Sequence, residues 1–415
     1  MPAAARRWPH ASVDGFRSMR LVHLSDLHLG FRQYQRQTPA GINQREADVA
    51  AAFKRAVDKV IELSPDMVAI AGDIFHTVRP TNPAILHAFT QFSRLTRELP
   101  NTIVVMVAGN HDTPRAVETG CILRLFSPLG IHVVHAEAER LSFPERELSV
   151  LAVPDVPGPR PALDPDPNAR HNVLVIHGEV EGVLPAAAAA QERTTLEITQ
   201  AELGAPRWSY VALGHYHVFR EIAPNAYYSG SVEYTSANVW GELAEERAAK
   251  LPGKGMIEYD LETRKRRFHF LPASRPLVDL PVISARGMSA TDLDAAILAG
   301  TQRVSGGIED KVVRQVVRDV PRHVARELDH KALRELKRRA LHYQLDTRRP
   351  DIIRTQASGG PGRRPSLADT VRDHLQRRVM PGDIDRDRLV ALGLDYLREA
   401  ETVEATASVA AGAAE

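Results

Sequence analysis

Short apolar segments alternate with longer amphipathic segments between Arg20 and about Asp260. The apolar segments RLVHL, DMVAIA, TIVVMVA, LSVLAV, NVLVI and YVAL mostly lack a regular alternation of apolar and polar residues. Such runs are typical of strands that are covered on both faces. Because the strands alternate with helical segments, the pattern predicts an α/β fold in which helices cover the sheet.

Two amphipathic helices are predicted between the first three strands. The first follows Asn43, a typical N-cap residue, and Glu46 three residues later fits a capping box. Phe53 and Val57 then fall on one face of this helix. The second helix lies within NPAILHAFTQFSRLTREL, where Pro83 suits the first turn. Both helices are therefore candidates to cover the sheet.

The hydrophobic pattern changes beyond about residue 260. The segments TDLDAAILAG, KVVRQVVRDV, HKALRELKRRA and LHYQLD predict a helix, a strand, a helix and a strand. We therefore expect a small α+β capping domain over residues 261–350. The segment TQASGGPGRRPS has the composition of a linker, assigned to residues 351–366, and two amphipathic helices are predicted within residues 367–400.

The two ends of the chain lack this pattern. Residues 1–18 have no apolar core of a signal peptide and are predicted to be a disordered leader. Met19, directly before the first strand, fits a true start of the protein. Residues 401–415 are small and polar, and we expect a disordered tail.

Composition narrows the class of protein. The 415 residues are 43% hydrophobic and 25% charged, without an apolar run long enough to span a bilayer, so we expect a cytoplasmic protein with no membrane contact. The single Cys121 excludes an internal disulfide. A net charge of +1 means that nucleic-acid binding would need local basic patches. The runs RKRRF and LKRRALHY fit either solvated faces or contacts to DNA phosphates.

Polar side chains follow the carboxyl ends of five predicted strands, in the motifs SDLHLG, GDIFH, GNHD, IHGE and GHYH. Loops at this edge of an open α/β sheet converge in one crevice. Burying so many polar groups together without water or metal would carry a large desolvation penalty, so the pattern indicates a metal site. The candidate ligands are Asp26, His28, Asp73, Asn110, His177, His215 and His217.

The spacing and types of these residues suggest how a metal would bind. In DLH and HYH two ligands are one residue apart, so in an extended segment each pair points the same way and can chelate one ion. Carboxylate, amide and imidazole ligands without thiolate favour Mn²⁺, Fe or Zn²⁺ in a two-metal hydrolytic site. Asp73 has no chelating partner two residues on and is the predicted bridging ligand.

The ordered motifs DLH, GD, GNHD, HG and GHYH resemble the calcineurin-like metallophosphoesterases. More narrowly, SDLHLGFRQYQ, AGDIFHTVRP and YYSGSVEYTS resemble the SbcD family, bacterial counterparts of the double-strand-break repair nuclease of archaea and eukaryotes. The general resemblance covers about residues 20–260. It implies a four-layer α/β/β/α catalytic domain over residues 19–260, followed by the capping domain and by helices at 367–400 that bind a partner.

The resemblance also implies a role for each site residue. The first metal would be held by Asp26, His28, Asp73 and His217. The second would be held by Asp73, Asn110, His177 and His215, so the HYH pair is split between two ions, contrary to the spacing argument. His111 would lie beside the scissile phosphate and protonate the leaving oxygen. His76 would lie near the phosphate, and Asp112 would orient the loop or an imidazole.

The function implied is that of a Mn²⁺-dependent DNA exonuclease and endonuclease, in which a bridging hydroxide on two divalent ions hydrolyses phosphodiester bonds. Its partners would be DNA, an SbcC-like coiled-coil ATPase and a second copy, contacted through helices within residues 49–63 and 84–95. The chain has no Walker A motif, so any ATP-driven step would belong to the partner. Two alternatives stay open: a phosphodiesterase or phosphatase for small nucleotides or phosphoproteins, and a non-catalytic scaffold of this fold.

Overall fold

The computed structural model describes residues 12–13, 16–114, 120–159, 162–183, 194, 196–350, 366–377 and 385–412. The chain divides into two compact units, Met1–Pro350 and Asp351–Glu415. Most of the predicted leader, residues 1–11, and of the predicted linker, residues 351–365, lies outside the described residues. The described end of the leader is paired rather than irregular, because Ser12–Val13 and Phe16–Arg17 form an antiparallel pair.

The first sheet contains the first three predicted strands and is covered on both faces. Its strands in spatial order are Arg266–Phe270, Gly255–Asp260, Arg20–Leu24, Met67–Ile70, Ile103–Val107 and His132–Val134. The last four run parallel, and the first two continue the sheet in antiparallel pairing. Val68 and Ile70 pack towards the helices, whereas Met67 and Ala69 pack towards the second sheet. This two-sided burial is the reason that the strands lack alternation.

The second sheet packs on the inner face of the first. Its strands in spatial order are Arg220–Ala223, Ala226–Tyr228, Tyr210–Gly214, His171–His177, Leu148–Val153 and Glu139–Phe143. The four central strands run parallel, and each edge strand is antiparallel to its neighbour. Val150, Val173 and Ala212 from this sheet share one buried cluster with Met67 and Val105 from the first. The two sheets therefore enclose a common core.

Helices complete the layers. Gln44–Leu63 and Asn82–Glu98 cover the first sheet through Phe53 and Phe92, and the short helix Gln200–Leu203 packs on the outer side of the second sheet. This layering confirms the expected α/β/β/α fold. The strands Glu179–Val180 and Glu197–Ile198 form a small parallel pair that adds Val180 and Ile198 to this outer cluster. The helix Val239–Ala248 packs through Val239 and Trp240 against Val312 and Leu341 of the capping region.

The N-terminus of the first helix differs from its prediction in one respect. The Asn43 side chain accepts hydrogen bonds from the backbone N–H groups of Arg45 and Glu46, which confirms the N-cap. The capping box is wrong, because the Glu46 carboxylate accepts instead from Arg32 Nε at 2.7 Å and from the Thr81 hydroxyl. Thr81 is itself the N-cap of Asn82–Glu98, so Glu46 joins the starts of the two helices.

The capping region has its own sheet and its own core. Its strands are Leu277–Asp279, Ile283–Ser284, Val312–Arg318 and His342–Thr347, and its helices are Ala290–Gln302, Arg322–Glu327 and His330–Arg339. The predicted order of elements is confirmed. All strand pairs are parallel, so the region is α/β rather than the predicted α+β. Helical crossovers between the strands produce this parallel pairing.

The boundary predicted at residue 260 is ten residues too early. Arg266–Phe270 returns as a hairpin onto Gly255–Asp260 and so belongs to the first sheet. The capping region is also not a separate compact unit, since it shares Met1–Pro350 with the two packed sheets and their helices. Contacts between them include the stacked rings of Tyr34 and His342, whose centroids lie 3.9 Å apart.

The second unit consists of the helices Leu367–Arg377 and Arg386–Gly412. Both predicted helices are present, but the predicted tail from residue 401 is helical as far as Gly412. Four of the twelve residues from 401 to 412 are alanine, the residue with the highest helix propensity, which is consistent with the extension. Among the described residues, no helix has both the length and the apolar character that crossing a bilayer requires.

Candidate metal centre

The seven predicted ligands all lie at the carboxyl ends of parallel strands in the two sheets. Asp26 and His28 follow Arg20–Leu24, Asp73 follows Met67–Ile70, and Asn110 follows Ile103–Val107. His177 ends its strand, while His215 and His217 directly follow Tyr210–Gly214. Because the sheets pack face to face with these ends on the same side, the loops converge as predicted.

Backbone conformation at the site is unusual. Asp26, His28, Asp73 and His215 have φ values of +53°, +45°, +52° and +106°. Positive φ is uncommon for residues with a side chain and costs about 1–3 kcal/mol each. Hydrogen bonds hold two of them: Asp26 N–H donates to Gly72 O, and His28 N–H donates to Asp73 O, both at 3.0 Å. Such a concentration of strain is typical of a functional site.

Three glycines beside the ligands allow the loops to approach closely. At Gly72, where φ is +89°, a Cβ atom would lie 2.3 Å from His177 Nδ1. At Gly109 it would lie 2.1 Å from Asp73 Oδ1, and at Gly214 only 1.7 Å from a backbone oxygen. The glycines of GD, GNHD and GHYH are therefore steric requirements of the site.

One group of ligand atoms is formed by Asp26, His28 and His217. All three residues are buried, and one ligand atom from each lies within 4.8 Å of the others. The Nε2 atoms of His28 and His217 are 2.9 Å apart. Burial and then repulsion from His217 hold the pKa of His28 well below its ordinary value. The ring is therefore neutral near pH 7, the form in which histidine binds metal.

A second group forms around His177. Its Nε2 lies 3.0 Å from Asn110 Oδ1, and its Nδ1 donates to Ala71 O at 2.8 Å, which leaves the Nε2 lone pair directed at the site. Burial would lower the pKa of His177, but Asp73 and then Asp26 outweigh burial and raise it. This raised pKa reflects negative charge that a cation would neutralise. The His215 ring lies edge-on to the His177 ring.

Asp73 lies between the two groups. Its Oδ2 is 3.6 Å from the Nε2 atoms of both His28 and His177. This oxygen is buried and has no hydrogen-bond partner among the described residues, while Oδ1 accepts from the backbone N–H of His111 at 2.9 Å. A buried carboxylate oxygen without a partner is costly. The donor set of carboxylates, imidazoles and an amide fits divalent cations at this position.

His111 and His76 lie beside these groups and are partly exposed. His111 Nδ1 is 2.7 Å from His76 O, and the two rings stack with centroids 5.2 Å apart. Together with His28 they form a third cluster of potential ligand atoms within 4.8 Å. Burial, followed by repulsion from His111, lowers the pKa of His76 to about 4. Both predicted residues therefore lie at the accessible side of the site.

Asp112 is bound to the backbone of the loops around the site rather than exposed at its accessible side. It is fully buried, and its carboxylate accepts backbone N–H hydrogen bonds from Ile74, Phe75 and Gly109 at 2.9–3.1 Å. Burial and the neighbouring Asp73 raise its pKa to about 7. Of its two predicted roles, orientation of the loop fits these contacts.

Sequence reasoning missed the residues that support the ligands. Glu242 contacts His217 Nδ1 at 3.2 Å, and Lys254 contacts Glu242 at 2.5 Å. Glu242 lies in GELAEERAAK, which has the composition of an exposed helix, so its sequence context carries no signal of burial. Ser25 Oγ donates to Asp26 Oδ2 at 2.5 Å and lies 2.9 Å from Ser229 Oγ. Ser229 belongs to the motif YYSGSVEYTS, which could have pointed to it.

Comparison with known proteins finds relatives that match part of this chain. Among curated proteins, the chain is similar to the DNA double-strand break repair protein Mre11 of three archaea. Identity is 27% for Methanocaldococcus jannaschii, over 58% of this chain and 62% of the relative. It is 31% for Archaeoglobus fulgidus, over 52% and 50%, and 24% for Methanosarcina acetivorans, over 82% and 59%. The matched regions thus span less than two thirds of each relative.

A family match covers the candidate site itself. The calcineurin-like phosphoesterase family matches residues 19–222, an interval that includes all seven predicted ligands together with His76, His111 and Asp112. It also includes the strands that precede the predicted ligands, which are Arg20–Leu24, Met67–Ile70 and Ile103–Val107 in the first sheet and His171–His177 and Tyr210–Gly214 in the second. Residues 19–222 of this chain, just under half of its length, therefore match the calcineurin-like phosphoesterase family.

Proposed function

We propose that this protein is a DNA nuclease that hydrolyses phosphodiester bonds with two divalent metal ions, Mn²⁺ in particular. The observation that carries the proposal is the buried Asp73 Oδ2, which lies equally far from two histidine nitrogens and accepts no hydrogen bond among the described residues. One carboxylate oxygen in such a position suits a ligand shared by two ions. The relatives are described as DNA double-strand break repair proteins, which favours DNA as the substrate.

The ligands divide between two ions in this proposal. Asp26, His28 and His217 hold one ion, and Asn110, His177 and His215 hold the other, with Asp73 shared. Two ions held by these residues would supply Lewis-acid activation of a water and positive charge beside the phosphate. The distances support this division in part: His28 lies next to His217, His177 lies next to Asn110, and both histidines face Asp73. Asp26 has a ligand atom within 4.8 Å of His28 and His217, and also one within 4.8 Å of Asp73 and His177.

His111 is the proposed acid for the leaving oxygen. Its Nδ1 lies 2.7 Å from His76 O, so the protonated ring can donate there and keep Nε2–H for the leaving oxygen. His76 lies beside it as a second, neutral histidine near the phosphate. Asp112 holds the loops that carry Asp73 and His111.

Cleavage of linear duplex DNA in the presence of Mn²⁺ tests this function. His111→Ala should lower the rate by roughly 10²- to 10⁴-fold, because it removes general-acid catalysis. The variant should still bind Mn²⁺, since the proposed ligands are intact. His132→Ala, at an exposed strand position, is the matched control and should cleave at the wild-type rate. Full activity of His111→Ala would overturn its role, and wild-type protein that never cleaves DNA would overturn the function.

The finer proposals concern the mode of action. We propose that the enzyme acts on DNA ends as an exonuclease and endonuclease in the cytoplasm, with an SbcC-like coiled-coil ATPase. The helices Leu367–Arg377 and Arg386–Gly412 are the proposed partner-binding segment, because they leave Leu367, Leu392 and Tyr396 exposed. A homodimer is proposed through Asn82–Glu98, where Leu86 and Phe89 are exposed.

The two alternatives are less well supported. A phosphoesterase for small nucleotides has no evident use for the capping region and the helical unit. A non-catalytic scaffold would not require all seven candidate metal ligands. Turnover of a cyclic nucleotide and of duplex DNA, measured side by side, distinguishes the first alternative, and metal analysis of the purified protein distinguishes the second.

A further inference from the structure

A buried cluster of charged side chains lies behind the ligand His217. Glu242 Oε1 is 3.2 Å from His217 Nδ1, and Glu242 Oε2 is 2.5 Å from Lys254 Nζ. All three residues are buried. Glu242 lies on the helix Val239–Ala248 and Lys254 just before the strand Gly255–Asp260, so separate elements meet at this histidine.

Lys254 contacts three further groups besides the Glu242 carboxylate. Its Nζ donates to the main-chain oxygen of His217 at 2.8 Å and pairs with Glu246 Oε1 at 3.1 Å. The ammonium also lies 4.5 Å from the ring centroid of Tyr234, whose hydroxyl donates to Glu246 at 2.5 Å. A single buried ammonium therefore fixes both the backbone of His217 and the carboxylate that faces its ring.

This arrangement selects one tautomer of His217. A neutral imidazole carries one N–H and one lone pair. Glu242 accepts the N–H when it is on Nδ1, and the lone pair is then on Nε2. His217 Nε2 is the atom that lies 2.9 Å from His28 Nε2, on the side of Asp26. The tautomer that Glu242 favours is thus the one able to bind a cation there.

Energetics also argue for a role beyond packing. A buried ion pair is weak evidence for stability, because the desolvation of both charges offsets much of their attraction. Here one lysine and two glutamates are buried together beside one candidate ligand. Carboxylates that accept the second N–H of a metal-bound histidine are a common means of orienting the ring.

We propose that Glu242, held by Lys254, is a positioning residue that fixes the tautomer and ring orientation of His217 for binding of the first metal ion. The inference rests on the metal centre of the proposed function. It adds two residues that lie outside the matched family interval of residues 19–222. Both residues precede the capping region, so the inference extends the centre to the helix Val239–Ala248 and to the start of the strand Gly255–Asp260.

Calorimetric titration of Mn²⁺ into the metal-free full-length protein tests the inference. Glu242→Gln offers only one acceptor to two donors, so it should weaken one of two Mn²⁺ sites by roughly 10- to 100-fold and leave the other unchanged. Glu242→Asp keeps the charge but shortens the reach, and should weaken the same site less. Glu258→Gln is the matched control: that carboxylate is also buried but pairs with Arg20 and His269.

The outcomes separate the inference from the function on which it rests. Selective weakening of one site in Glu242→Gln, with two unchanged sites in Glu258→Gln, supports the positioning role. Two wild-type affinities in folded Glu242→Gln and Glu242→Asp would overturn that role and leave the metal centre standing. Equal losses in the glutamate variants and the control would mean a structural role only. A wild-type protein that binds no Mn²⁺ would overturn the metal centre itself.

Discussion

Asp73 and its neighbours show how single residues fix the candidate centre. Asp73 adopts positive φ, anchors His111 through Oδ1 and leaves Oδ2 facing two histidines. The preceding Gly72 also has positive φ and lies against His177. A substitution that moves Gly72 or Asp73 should therefore also move His177, and this expectation can be tested.

Gly72→Ala should disrupt metal binding as well as stability. A methyl group there would lie 2.3 Å from His177 Nδ1, so the ring or the loop must move. Gly130→Ala is the matched control, because φ is +84° there and nothing lies within 4 Å of the added Cβ. We expect about 1 kcal/mol of destabilisation for the control and a larger loss for Gly72→Ala. Thermal unfolding with and without Mn²⁺ measures both, and unchanged metal stabilisation in Gly72→Ala would contradict the account.

His23 predicts a pH dependence of stability. It is buried between the sheets, 3.1 Å from the Tyr210 hydroxyl, and burial lowers its pKa from 6.5 to about 3. Below pH 6.5 the unfolded chain takes up a proton that the folded chain excludes, so this residue contributes less stability as pH falls. The slope is about 1.4 kcal/mol per pH unit.

His23→Gln removes this titration. The free energy of unfolding of the wild type should therefore fall relative to that of the variant between about pH 6 and pH 4, whatever their difference at pH 7. Chemical denaturation at several pH values measures the two curves. Parallel curves over this range would show that His23 titrates normally in the folded protein.

At the scale of elements, the helix Gln44–Leu63 joins several parts of the molecule through its first turn. Arg45 is almost fully buried and pairs with Asp48 at 3.1 Å and with Glu233 at 3.5 Å, while donating to Tyr234 O at 2.7 Å. Arg275, at the start of the capping region, pairs with the same Asp48 at 3.0 Å. This ion network therefore ties the helix to the segments on both sides of the capping boundary.

Arg45→Met should destabilise the protein by about 3–5 kcal/mol, because it leaves the buried Glu233 without its cation. Lys54→Met on the same helix is the control. Lys54 forms an exposed pair with Asp58, and such pairs contribute less than about 1 kcal/mol. Denaturant titration of both variants gives the two values. Equal small losses would show that the Arg45 network does not support the fold.

The helices and strands that could be predicted are those whose formation depends on the local sequence pattern. The buried strands and the Asn43 cap follow from apolar runs and from backbone donors at a helix start. The absence of a capping box at Glu46 could not be predicted from the local sequence. Arg32 and Thr81, which lie outside this helix, bind the Glu46 carboxylate instead. The edge strand Arg266–Phe270 was likewise hidden, because its basic residues suit a solvated loop and an exposed edge alike.

The same limit applies to the site. The motifs around Asp26, Asp73 and His217 predict the ligands because each places chemistry at a strand end. Glu242 and Lys254 reach His217 only through tertiary packing, and nothing in their local sequence marks them. Candidate ligands can therefore be recognised in a sequence, whereas residues that contact them from distant segments are found only in the fold.

For the molecule as a whole, the exposed face of Asn82–Glu98 predicts self-association. Leu86 and Phe89 are 68% and 38% exposed and lie three residues apart on one helix face. The double variant Leu86→Glu and Phe89→Glu should be monomeric where the wild type is a dimer. Sedimentation velocity at micromolar concentration measures this. A wild type that is monomeric throughout would contradict the proposed homodimer.

Across the molecule, residues that follow strands of two sheets meet at a single centre together with Glu242 from the helix Val239–Ala248. Anomalous diffraction from crystals grown with Mn²⁺ tests this claim most directly. The account predicts two peaks per chain with Asp73 between them. One should lie nearest Asp26, His28 and His217, and the other nearest Asn110, His177 and His215. A single peak, no peak, or one ion bound by both His215 and His217 would contradict it.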